Sequence, residues 1–124
     1  MPDQDRLQVV RDSYGAYESG DRRLIERCLT DDFVFYSPAD VGIDRATYFE
    51  RCWPNNERIR KFEIERIFEQ GEAAFVTYRM VTRNGDDFRN TEFLVFAGDK
   101  LKRVDVYFGA SYRDGKFVGQ KPSP

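Results

Sequence analysis

The segment from Phe88 to Gly109, FRNTEFLVFAGDKLKRVDVYFG, constrains the fold more than any other part of the chain. It reads as two strands joined by a tight turn at Gly98-Asp99. Alternation sends Asn90, Glu92, Leu94 and Phe96 to one face and Thr91, Phe93 and Val95 to the other. Both faces are largely apolar, so both need cover, and one acid, Glu92, lies inside the apolar run. A carboxylate there is costly unless it is paired, hydrogen-bonded or protonated, which makes Glu92 the first candidate for chemistry.

The rest of the composition narrows what that chemistry can be. A chain of 124 residues forms one domain, 1–124, with one core. Twenty basic residues against twenty-two acidic ones, interspersed, give a net charge of -2, which indicates neither a nucleic-acid footprint nor a membrane patch. The start, MPDQDRLQVV, lacks the layout of a signal peptide, and no long apolar run occurs, so a cytoplasmic location is expected. Histidine is absent, no cysteine cluster replaces it, and the glycines match no nucleotide-binding spacing, so neither a metal nor a cofactor is expected. Cys28 and Cys52 lie on apolar helical faces and read as packing residues. Any chemistry must use Asp, Glu, Tyr, Ser or Lys.

In chain order, Asp3 can cap a helix with Leu7, Val10, Tyr14 and Tyr17 at helical spacing, ending at Ser19-Gly20. Asp21 caps a second helix whose buried stripe is Leu24, Ile25, Cys28 and Leu29. Phe33 to Tyr36 is a strand halted by Ser37-Pro38, and a loop runs from Ala39 to Ile43. Asp44 caps a third helix with Ala46, Phe49, Cys52 and Trp53 on one side, closed by Pro54 and Asn55-Asn56. From Lys61 the period switches to two: Phe62, Ile64 and Phe68 alternate with Glu63, Glu65 and Glu69, the pattern of a strand near a sheet edge. Turns at Gln70-Gly71-Glu72 and Asn84-Gly85-Asp86 then give four long antiparallel strands in succession.

Placing Thr82 opposite Phe88 sets Tyr78 across from Glu92 and Met80 across from Asn90, so Tyr78 becomes a hydrogen-bond partner for the acid. A slip of one residue would bring Thr77 or Arg79 there instead. In the last long strand, Val104, Val106 and Phe108 are placed inward and Arg103, Asp105 and Tyr107 outward. The other register would pair Asp105 with Glu92. After Gly109 the periodicity is lost, and the tail 110–124 reads as an extension ordered to Phe117.

Helices first and a run of antiparallel strands after them describe an α+β domain. The segments YGAYESGD, LTDDFVFYSP, YFERCWPN, FRNTEF and RVDVYFG resemble the nuclear transport factor 2-like superfamily, in particular its SnoaL-like branch, over residues 5–109. That resemblance implies a cone-shaped, curved antiparallel sheet wrapped around three N-terminal helices, an apolar pocket and frequent homodimers. The superfamily includes isomerases, cyclases, dehydratases and members that only bind or scaffold. Set against its ketosteroid isomerases, Glu92 falls on the oxyanion-hole aspartate. Tyr14 falls on the oxyanion-hole tyrosine if one residue is deleted before Gly20-Asp21, and Ser13 does otherwise. Ser37 stands where the general-base aspartate would be, which argues against ketosteroid isomerisation itself.

The candidate site is then Glu92 and Tyr14, with Asp40 in the loop after Pro38 as a substitute base, and Trp53, Tyr36, Tyr78 and Asn90 as ligand contacts. Each has a structural alternative: a satisfied carboxylate for Glu92, core aromatics for Tyr14 and Tyr36, a turn residue for Asp40. Two functions follow, a binding module for a small apolar molecule or an acid-base enzyme stabilising an oxyanion with Glu92 and Tyr14. Phe75, Val81, Phe93 and Val95 on the outer face of the sheet predict a homodimer.

Overall fold

The computed structural model describes residues 3–120, and the side chains of 6–120. Helix α1 (Asp3–Ser19) and helix α2 (Arg22–Cys28) lead into strand β1 (Leu29–Tyr36), a two-residue strand β2 (Ile43–Asp44) and helix α3 (Arg45–Arg51). A 3-10 turn (Trp53–Arg58) delivers the chain to β3 (Ile59–Gln70), β4 (Ala73–Thr82), β5 (Asp87–Ala97), β6 (Lys100–Arg113) and β7 (Lys116–Gly119). The capping expected of Asp3 lies outside the described side chains. Asp21 and Asp44 cap as the sequence predicts, accepting the N–H of Leu24 at 3.2 Å and of Thr47 at 2.9 Å.

The strands form one sheet in the order β2-β1-β6-β5-β4-β3, with β7 added to β6. β3 is at the edge, as its charged alternation predicts. The sheet is mixed rather than purely antiparallel, because β1 runs parallel to β6, pairing Phe35 with Val104. That contact joins residues about seventy positions apart, which no local pattern encodes. Sheet and helices enclose one core, from Val10 and Tyr14 on α1 to Leu94, Val104 and Val106 on the central strands.

Several local predictions are corrected by turns and bulges. Thr82 N–H donates to Asp86 O at 2.8 Å, so the hairpin turns through Arg83, Asn84 and Gly85 alone, with Gly85 N–H on Thr82 O at 3.1 Å and Gly85 at φ +93°. This three-residue turn shortens the loop and moves the register by two, so Tyr78 faces Asn90, Met80 faces Phe88 and Val76 faces Glu92. A shift of two keeps every side chain on its face. In β3 a bulge between Ile64 and Arg66 reverses the alternation, so Ile67 packs on the core and Phe68 points outward, 68% exposed. On α3 the buried residues are Tyr48 and Phe49, and Ala46 is exposed. The helix ends at Arg51, where the 3-10 turn takes over. Beyond Gly109 the chain continues β6 to Arg113 and turns back as β7.

Two polar contacts seat α1 on the sheet. Arg6, itself buried, donates to Gly98 O at 3.0 Å, Gly71 O at 3.3 Å and the Glu72 carboxylate at 3.0 Å, tying the start of α1 to two hairpin turns. At the other end Glu18 accepts the N–H of Phe62 from edge strand β3 at 2.7 Å. These anchors fix the helical rotation that turns Tyr14 and Tyr17 toward the sheet.

Candidate functional site

Between the helices and the concave face of the sheet lies a cavity of about 410 Å³. Its walls are mostly aromatic and aliphatic, including Phe33, Phe35, Phe62, Met80 and Phe108, and Glu92 opens into it. Tyr14 of α1 donates its hydroxyl to Glu92 Oε1 at 2.9 Å, and Tyr78 of β4 donates to Oε2 at 2.8 Å. Tyr78 reaches Glu92 diagonally across the β4–β5 pair, a geometry open to a long aromatic side chain. The predicted partner is therefore present without the predicted register. Phe62 packs on both phenols, with ring centroids 4.9 Å from Tyr14 and 5.1 Å from Tyr78.

No cation pairs with Glu92 among the described residues, so its compensation comes from two neutral hydroxyls. Burial pushes its carboxyl above the ordinary value, and the hydrogen bonds from Tyr78 and Tyr14 hold part of that rise back. Burial and then the nearby Glu92 charge push both phenols well above theirs, so they stay protonated. The surface that Glu92 retains faces the cavity, which is why it is partly accessible although surrounded by protein.

Asn90 does not line the cavity. It is buried behind the site, donates from Nδ2 to the Tyr78 hydroxyl at 3.2 Å and accepts the Gly109 N–H at 3.1 Å, so it positions Tyr78 rather than touching a ligand. The β5–β6 ladder shifts register between Phe88 and Asn90, and Gly109 lies so close to Arg89 that a Cβ would stand 2.0 Å from its carbonyl oxygen. Glycine is required there by the close approach of the two backbones.

The remaining candidates divide. Asp40 lies on the cavity wall, but Arg51 Nε is 2.5 Å from its Oδ1, and reciprocal backbone bonds with Ser37, at 2.7 and 3.2 Å, close its turn. Ser37 is also on the wall and supplies no carboxylate. Trp53 is only 8% exposed and off the cavity: because the 3-10 turn starts there, the indole packs behind Tyr17, centroids 4.9 Å apart. Tyr36 is also off it, since β1 alternation turns Phe33 and Phe35 inward, and its ring stacks under the Arg103 guanidinium at 4.2 Å. Asp105 faces outward beside Arg103 at 3.4 Å, so no carboxylate pair forms with Glu92. Cys52 lines the cavity, beyond the packing role expected of it, and burial pushes its thiol up to about 12. No three candidate ligand side chains converge as a metal site among the described residues.

Sequence reasoning missed Tyr48, Arg51 and Arg58, which also line the cavity. Tyr48 occurs in the YFERCWPN segment, but only the turn of α3 brings it against Tyr17.

A SnoaL-like domain family matches residues 10–104, more than half of the chain. The chain belongs to this family. Its fold is that of solved nuclear transport factor 2-like structures. A protein of unknown function from Cytophaga hutchinsonii is 17% identical with TM-score 0.67, over 82% of this chain and 88% of the other. A proposed ketosteroid isomerase from Kribbella flavida is 16% identical with TM-score 0.71, over 98% and 84%. A proposed polyketide cyclase from Sinorhizobium meliloti is 15% identical with TM-score 0.69, over 86% and 95%. At such identities the likeness shows the SnoaL-like fold alone. No curated protein matches the sequence. No helix among the described residues is long and apolar enough to cross a membrane.

Proposed function

We propose that this SnoaL-like domain binds a small, mostly apolar molecule in its central cavity, oriented by the Tyr14–Glu92–Tyr78 trio. The observation that carries this reading is Glu92 itself, a carboxyl opening into a largely apolar cavity and held by two hydroxyls, with no ion pair to it among the described residues. A carboxyl with a purely structural role gains nothing from such a place, where an apolar residue of similar size costs less. Titration of the labelled protein with 2-ethylnaphthalene, followed by amide NMR, is expected to shift resonances of α1, β4 and β5 around the cavity. Shifts confined to the outer face of the sheet, or none, would refute it.

A second reading, proton transfer, is favoured by the same carboxyl. Burial raises its pKa above the ordinary carboxyl value, which makes its carboxylate a stronger base than an exposed one. Here Glu92, rather than Asp40, is the base: its carboxylate removes a proton from the carbon next to a ligand carbonyl, and the C–H electron pair moves onto the carbonyl oxygen. Exchange of the methyl protons of 2-acetylnaphthalene for deuterium should be accelerated by the protein. Glu92→Gln should lose about 100-fold or more of that rate. Equal exchange with both proteins would leave binding as the whole function.

We also propose a homodimer through the outer face of the sheet. Phe68, Phe75 and Phe93 are successive cross-strand partners there, with Phe75 49% exposed and the Phe75 and Phe93 ring centroids 5.0 Å apart. Val81 is buried and adds nothing to this stripe, whereas Phe68 extends it. Light scattering should give twice the chain mass at micromolar concentration, and Phe93→Glu should halve it. A monomeric parent protein would overturn the proposal.

A further inference from the structure

The cavity contains a second polar group, apart from Glu92, that the trio does not use. Tyr17 of α1 and Tyr48 of α3 both line it, and their hydroxyl oxygens are 2.5 Å apart. Most of what packs on them is aromatic, with Cys52 on the same wall. Tyr48 packs against Phe33 and Phe35, both at 5.1 Å between centroids, and Tyr17 against Trp53 at 4.9 Å and Phe62 at 6.4 Å. No other protein donor or acceptor bonds to either hydroxyl among the described residues.

Counting protons separates the two polar groups. Two phenols carry two protons, and their mutual hydrogen bond uses one, so one O–H remains to be given away whichever of the two donates inward. Burial pushes both phenols above their ordinary pKa, so neither proton is lost under working conditions. The trio is the opposite. With Glu92 ionised, both tyrosine protons are spent on its oxygens and the group offers only lone pairs. One wall of the cavity is thus an acceptor and the other keeps a donor, and a buried donor left without an acceptor is costly.

We propose that the Tyr17–Tyr48 pair is a second ligand subsite, a hydrogen-bond donor that seats the carbonyl oxygen of a ketone whose apolar body fills the cavity. The inference rests on the cavity being a ligand site and adds the ligand class: a neutral acceptor oxygen at this pair, with the acidic C–H or O–H of the same molecule directed at Glu92.

The test compares 2-acetylnaphthalene with 2-ethylnaphthalene, which matches its shape and lacks the carbonyl. The parent protein should bind the ketone more tightly, and the infrared band of its ¹³C-labelled carbonyl should fall below its position in hydrocarbon solvent. The double variant Tyr17→Phe, Tyr48→Phe should abolish the band shift and reduce the ketone preference about fivefold to tenfold. Either single variant should keep most of both, because the remaining hydroxyl regains the proton it had shared. The carbonyl band of the parent protein needs no variant, so a misfolded double mutant does not obscure the result. An unshifted band in the parent protein, or a shift and preference that survive in the folded double variant, overturns the subsite. If 2-ethylnaphthalene also fails to bind, the ligand-cavity reading falls with it. If the hydrocarbon binds and the ketone gains nothing, only the subsite falls.

Discussion

Replacing Glu92 by glutamine removes the charge and keeps the shape, and its effect on stability should depend on pH in a defined way. The glutamine oxygen can accept one tyrosine hydroxyl bond, and its amide can donate to the other once that hydroxyl turns, so both contacts of the trio survive. Each charge-assisted bond becomes a neutral one, a loss of about 1 kcal/mol apiece, against relief of a buried charge. Burial raises the folded-state pKa of Glu92 above its ordinary value, so the folded state holds the proton more tightly than the unfolded chain does. The stabilisation from that proton is complete below the unfolded value and is lost as pH rises through the folded one. Within that window the parent protein should lose about 1.4 kcal/mol per pH unit relative to Glu92→Gln and be flat above it. Urea denaturation of both proteins from acid to mildly alkaline pH measures the difference. A parent protein that instead gains on the variant as pH rises would mean that Glu92 is ionised and well paired, and the trio argument would fail.

Tyr14→Phe leaves Glu92 with one donor and should cost about 1.5–3 kcal/mol where the carboxyl is ionised, with a smaller loss where it is protonated, as read by the same denaturation series. Gly109→Ala brings a methyl against the Arg89 carbonyl and should destabilise by about 1–3 kcal/mol, while Gly15→Ala, where a Cβ meets nothing within 4 Å, should not. Arg6→Ala removes three hydrogen bonds that hold α1 to two turns; thermal unfolding should show a loss of about 2 kcal/mol, and amide exchange in the first turns of α1 should speed up.

The elements that announce themselves locally were legible in the sequence. Asp21 and Asp44 cap where their side chains predict, and the last long strand turns Val104 and Val106 inward. Glu92 stood out because a lone acid in an apolar strand is a local anomaly, whereas Tyr14 was singled out by the resemblance to the ketosteroid isomerases, its inward helix face only favouring that alignment over Ser13. Features set by one extra or missing residue were not legible. A three-residue turn moved the β4–β5 register by two, and one bulge in β3 turned Phe68 out and Ile67 in. Tyr78 survived the first error because a shift of two preserves the face and its ring spans the diagonal. Tyr17 and Tyr48 lie 31 residues apart and meet only because α1 and α3 converge over the cavity, which no periodicity records. Trp53 and Tyr36 failed for simpler reasons: Trp53 faces inward but packs behind the cavity wall, and Tyr36 stands on the other face of β1.

The most direct test of the central claim is the titration of the Glu92 carboxyl itself, followed through its ¹³Cδ resonance with and without 2-ethylnaphthalene. The account predicts a titration above the ordinary carboxyl value in the free protein and higher still once the apolar ligand fills the cavity and removes what solvent reaches it. A carboxyl that titrates at or below its ordinary value, and does not respond to the ligand, would contradict it.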